Sequence, residues 1–167
     1  MNQDRTLKIL IIYGYHPKEI FAVEAGKYLA EHNTSGGDAR IVEYDGRPDI
    51  GLSTHQLRTF VETFDPLISP LVLHGDDDMD ADMAIIYNAK SKQEGKASHR
   101  PLLEFCFDRS NHGNDLIVCG RFVTHSTNYG VIDIELNSRM GAEKAAAIIK
   151  DFSQYLIGLY LSKQIKL

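Results

Sequence analysis

Apolar positions fall along the chain in two alternating rhythms. Leu7 to Tyr15 is a nearly continuous apolar run, with Ile9, Leu10, Ile11 and Ile12 in succession, the pattern of a strand covered on both faces. From Pro17 to His32 the apolar residues Ile20, Val23, Ala25, Tyr28 and Leu29 recur at helical spacing, and "NTSGG" stops the helix. "ARIVEYD" (39–45) reads as a second strand. "GRPDIGLS" comes next as a loop, and Ser53 is the expected N-cap of a helix with Leu57, Phe60, Val61 and Phe64 on one face, closed by Asp65-Pro66.

"LISPLVLH" (67–74) and "MAIIYNAK" (83–90) are strands on either side of the acidic stretch "GDDDMDAD". "SKQEGKASH" reads as a polar loop leading to a short helix around Pro101 to Asp108. "DLIVCGRF" (115–122) and "GVIDIEL" (130–136) are two further strands, and residues 142–163 carry one long apolar stripe through Ala145, Ile148, Ile149, Phe152, Leu156, Leu159 and Tyr160. Alternating strands and helices predict an α/β fold, a three-layer sandwich whose mostly parallel or mixed central sheet is flanked by helices. With no repeat and no linker, residues 1–167 are expected to form a single domain.

Composition narrows the function classes. The chain is 43% hydrophobic and 25% charged with a net charge of −5, and it has no basic run; nucleic acid and anionic membranes are therefore not the expected partners. Small molecules or peptides are. Cys106 and Cys119 lie in apolar contexts and form no CxxC pair, so they read as buried thiols in a reducing compartment. The apolar run at the start is too short for a signal peptide or a membrane span of about 20 residues. The expected location is the cytoplasm. GxSxG, Walker and GxGxxG motifs are absent from the sequence, which leaves serine-hydrolase, nucleotide-triphosphatase and dinucleotide readings without motif support.

In sheets of this kind ligands collect at the carboxyl ends of the strands, which directs attention to His16, to His74 and to the residues just beyond Phe122 and Leu136. "HPKE" has two readings. A proline at the first helical position with a glutamate two further on is ordinary helix-start chemistry. His16 and Glu19 at i and i+3 also face the same way, so both could reach one cation. His74 ends a buried strand just before a glycine, and two histidines with one carboxylate and an open fourth position make a catalytic zinc set. In "GVIDIEL", Asp133 and Glu135 share one side of an otherwise apolar strand, where an unpaired carboxylate would be costly.

These four positions resemble the zinc carboxypeptidases, and more closely their succinylglutamate desuccinylase and aspartoacylase branch. "GYHPKE" resembles that branch's "GxHGxE" opening, "LVLHGDD" resembles its "DLH-G-T" segment, and the glutamate of "GVIDIEL" comes about 60 residues later. The resemblance implies that His16, Glu19 and His74 hold Zn²⁺ and that Glu135 acts as general base and then general acid in hydrolysis of a small amide or peptide bond. Family members usually grip the substrate carboxylate with an "NR" pair; here "EYDGRPD" offers Arg47 without the asparagine. Val72 stands where the family's aspartate would orient the third ligand, so another group would have to hold that ring. The region that shapes the pocket is shortened.

Rival assignments stay open in the sequence. His125, in "FVTHSTNYG", is an alternative third ligand, and Tyr129 in the same segment is a candidate donor to substrate oxygen. The acidic stretch lacks the glycine and glutamate of an EF-hand loop and reads as a solvated loop beside His74. Arg58, Arg121 and Arg139 are candidate anion contacts with no motif to choose among them, and most read as surface charges. The alternatives to a hydrolase are a non-catalytic metal or small-ligand binding protein on the same fold, and an interaction domain in which "HPKE" only starts a helix.

Overall fold

A computed structural model describes residues 7–16, 18–33, 37–44, 54–89, 92–123 and 130–164. Among the described residues six strands form one mixed sheet: β1 (Ile9–Tyr13), β2 (Ala39–Glu43), β3 (Leu71–Gly75), β4 (Met83–Ala89), β5 (Ile117–Val123) and β6 (Val131–Leu136), in the order β2-β1-β3-β6-β4-β5. All neighbouring pairs are parallel except β4 with β6. The helices among these residues are α1 (Ile20–Glu31), α2 (Thr54–Glu62), α3 (Lys92–His112) and α4 (Ala142–Leu161), with a 3₁₀ turn at Ser138–Met140. This is the expected α/β sandwich.

Strand alternation sorts the side chains into two cores. On one face Ile9 and Ile11 of β1, Leu71 and Leu73 of β3, Ile132 and Ile134 of β6, and Met83 and Ile85 of β4 pack under α1, α3 and α4. On the other face Leu10, Ile12, Val72 and Val131 pack against Leu57 and Val61 of α2. β1 and β3 are buried on both faces, which is why their sequences are apolar without interruption. In β6 the alternation breaks on the α2 side of the sheet, where Asp133 and Glu135 are only half-buried between apolar neighbours.

Two glycines set the approach to the site. Gly26 lets α1 lie directly on β1, for a Cβ there would stand 2.2 Å from Cγ of Tyr13. Gly14 turns the chain out of β1 at φ +75°, a left-handed conformation that disfavours any side chain.

Three expectations are corrected. "SKQEGKASH" is not a loop: α3 runs unbroken from Lys92, with Pro101 inside it, so the short helix is the second half of a long one. Lys, Gln, Glu and Ala are good helix formers, but this stretch has no apolar stripe to reveal the helix. α1 begins at Ile20, so His16 and Glu19 both precede the helix, Glu19 as its N-cap, instead of sharing its first turn. The acidic stretch is also not merely solvated. It arches over the end of β6 as the β3–β4 connection, with the Asp77 carboxylate accepting from the Ser138 N–H at 2.8 Å and Asp82 accepting from Leu116 N–H at 2.7 Å and from Arg139 Nε at 2.6 Å. Arg139 is thus held in an ion pair with Asp82. Ser53, Arg47, His125 and Tyr129 lie outside the described residues.

Candidate metal centre

The site is built where β1, β3 and β6 end on the same side of the sheet. The Gly14 turn carries Tyr15 and His16 over the end of β1, and the His16 and His74 rings stand with centroids 5.3 Å apart. Tyr15 packs edge-on to both, at 4.6 Å from His16 and 5.3 Å from His74. Glu19 sits at the N-cap position of α1 but makes no side-chain cap to its own helix. Its carboxylate reaches across to β3, accepting from Gly75 N–H at 3.1 Å and lying 3.5 Å from His74 Nδ1. The bland helix-start reading of "HPKE" predicts the opposite, a carboxylate turned onto its own helix.

One donor atom from each of His16, Glu19 and His74 lies within 4.8 Å of the other two. Two imidazole nitrogens and one carboxylate oxygen suit a transition metal such as zinc or iron(II) better than calcium or magnesium, which take oxygen-rich sets. Among the described residues this is the one cluster of its kind.

The charges around it are arranged for a cation. Burial disfavours a charged His74, but hydrogen bonds to Asp133 and Glu19 and the charges of Asp133 and Glu135 outweigh it and push the ring's pKa up to about 10. For Glu19, burial acts upward, and the His74 hydrogen bond, the Gly75 N–H and the charges of His74 and His16 bring the carboxyl below its ordinary value. Glu135 moves the other way. Burial raises it most, and together with the neighbouring Asp133, Glu19 and Asp76 carboxylates it outweighs the lowering effect of His74. Around one histidine, then, one carboxyl is held ionised and another is made a better proton acceptor.

Glu135 is the register partner of His74 across the β3–β6 pair, so both project from the same sheet face at the same height. Asp133 was visible in the sequence only as an oddly placed carboxylate. It is the register partner of Val72, and its Oδ1 lies 3.2 Å from His74 Nε2. A cavity of about 420 Å³ opens beside Glu19, lined also by Lys18, Ile20, Glu24, Gly75 and Asp77.

No family model matches the chain, and no curated protein sequence does either. Solved structures do match. An N-acetylmuramoyl-L-alanine amidase from Clostridium difficile 630 superposes with a TM-score of 0.56 at 14% identity, over 95% of this chain and 99% of its own. A metallo-carboxypeptidase from Burkholderia cenocepacia gives a TM-score of 0.61 at 14% identity, over 95% of this chain but only 59% of its own length. Murine aminoacylase 3 gives 0.54 at 14% identity, with 93% of this chain and 67% of its own. At such identities the likeness is one of fold: the chain has the α/β architecture shared by an amidase, a carboxypeptidase and an aminoacylase.

Proposed function

We propose that this protein is a zinc-dependent hydrolase of a small amide or peptide bond, of the carboxypeptidase or N-acyl amino acid deacylase kind. The observation that carries the proposal is the convergence of His16, Glu19 and His74, drawn from the ends of two strands and the start of a helix, on one point beside Glu135. Three proteins of this fold whose names denote cleavage of C–N bonds support the same reading.

His16, Glu19 and His74 would hold the ion and leave a coordination place open. When bound, zinc supplies Lewis acidity and makes water at the open place far more acidic. The residues do the rest. Glu135, poised to take up a proton by its burial and its anionic neighbours, accepts the proton of the attacking water and returns it to the leaving nitrogen. The carbonyl carbon–nitrogen bond breaks, giving a carboxylate and an amine. A cavity of about 420 Å³ next to Glu19 fits a substrate the size of an acylated amino acid or a short peptide. Arg47 and Tyr129 are the proposed contacts to substrate.

The test is metal analysis of protein purified without chelator, together with a panel of N-acyl amino acids and short peptides assayed for released amine. One zinc per chain with amine release from a panel member is expected. Absence of stoichiometric metal overturns the cage, and bound zinc with no amine released from any member makes the protein a metal-binding one.

A further inference from the structure

Asp133 takes no part in the chemistry just described, yet both of its oxygens are engaged beside the site. Oδ1 lies 3.2 Å from His74 Nε2, and Oδ2 accepts from Asn88 Nδ2. The hydrogen-bonded chain Asn88–Asp133–His74 therefore crosses three adjacent strands, β4, β6 and β3. At its far end the other ring nitrogen, Nδ1, faces Glu19 Oε2 at 3.5 Å. Each nitrogen of His74 thus has its own carboxylate.

We infer that Asp133 is the positioning residue that commits the Nδ1 lone pair of His74 to the metal, and that Asn88 fixes Asp133 for this task. Proton placement decides the matter, given the reading of His16, Glu19 and His74 as the cage. A neutral imidazole has one N–H and one lone pair, and an ionised carboxylate only accepts. With Asp133 against Nε2, the proton belongs on Nε2 and the lone pair on Nδ1, on the Glu19 side of the ring. The other tautomer would set a lone pair against a carboxylate and an N–H against the ion. Asn88 completes the arrangement because its amide donates to the second oxygen, so the carboxylate cannot rotate away from the ring without losing a half-buried bond.

Removal and conservative replacement of the carboxylate should therefore differ. In Asp133→Leu nothing accepts the Nε2 proton, and the ring is free to take the other tautomer. In Asp133→Asn the Asn88 amide, which carries an oxygen of its own, can flip to accept from the new NH₂ group, so the new amide oxygen goes on accepting the Nε2 proton.

The experiment measures zinc affinity by competition with a chromogenic chelator, the absorption spectrum of the cobalt(II)-loaded proteins, and the circular dichroism of each metal-free variant. Asp133→Leu should bind zinc about 10- to 100-fold more weakly, the usual range for loss of such support, with an altered cobalt spectrum. Asp133→Asn should keep most of the affinity and the wild-type spectrum. Asn88→Ala, which leaves the carboxylate in place, should show a smaller loss than Asp133→Leu. Wild-type affinity in Asp133→Leu, or an Asp133→Asn variant as weak as Asp133→Leu, overturns the inference while the cage stands. A wild-type protein that binds no zinc removes the cage and the inference together.

Discussion

Zinc should enter this site by displacing a proton. In the metal-free protein His74 lies between Glu19 and Asp133, and its pKa is raised from 6.5 to about 10 despite its burial. At pH 8 nearly every His74 ring therefore carries protons on both nitrogens, and a metal needs one of them bare. Binding at pH 8 should release about one proton from this ring, and the contribution of His74 to apparent affinity should grow about tenfold, or 1.4 kcal/mol, per pH unit up to about 10. The same shift fixes the pH dependence of folding. Because the folded pKa lies above the unfolded one, the stabilisation is complete below about 6.5 and is lost as pH rises through about 10. The metal-free protein should weaken across that window, by an amount on the order of a few kcal/mol, while zinc protects it increasingly. Titration calorimetry at pH 8 in two buffers of different ionisation enthalpy gives the proton count, and thermal unfolding from pH 6.5 to 9.5 gives the stability. Zinc binding with no proton release, or a metal-free melting temperature unchanged over that range, would refute the reasoning.

Glu135→Gln should retain stoichiometric zinc and lose about 10²- to 10⁴-fold in turnover of any panel substrate, the span attributable to general acid–base catalysis; near wild-type rates would remove Glu135 from the chemistry. His16→Ala should abolish stoichiometric zinc with little change in the metal-free circular dichroism, since the ring lies beyond the end of β1, and full metal content measured by atomic emission would refute its place in the cage. Gly26→Ala should lower the melting temperature by about 4–8 °C: a Cβ 2.2 Å from Tyr13 Cγ puts overpacking at the upper end of the usual range, about 3 kcal/mol, against a gain of about 1 kcal/mol in helix propensity. An unchanged melting temperature in differential scanning calorimetry would show that α1 shifts freely on β1.

The legible parts of the sequence were those where burial dictates residue type. β1 and β3 lie under helices on both faces, so Ile9–Ile12 and Leu71–Leu73 are apolar throughout, and α4 shows its stripe because one side of it faces the core. The first half of α3 is not legible for the converse reason: Lys92 to Ser98 offers no apolar period, and helix propensity by itself leaves a weak trace in sequence. At the site, His16, Glu19 and His74 could be paired from the sequence because each stands at a strand or helix end. The partner of Asp133 could not. His74 meets it only because β6 inserts between β3 and β4, a crossover set by the packing of the whole sheet; the acidic stretch reads as solvent-facing for the same reason, since the turn it clasps lies some 60 residues away.

The strand order has a kinetic corollary. β3 and β6 are the two innermost strands, with two more on either side, so fraying that begins at β2 or β5 must strip away a pair of strands before it disturbs His74, Asp133 or Glu135. Amide hydrogens of these inner strands should exchange through opening of the entire molecule, and a metal seated there would be held for as long as the sheet itself endures.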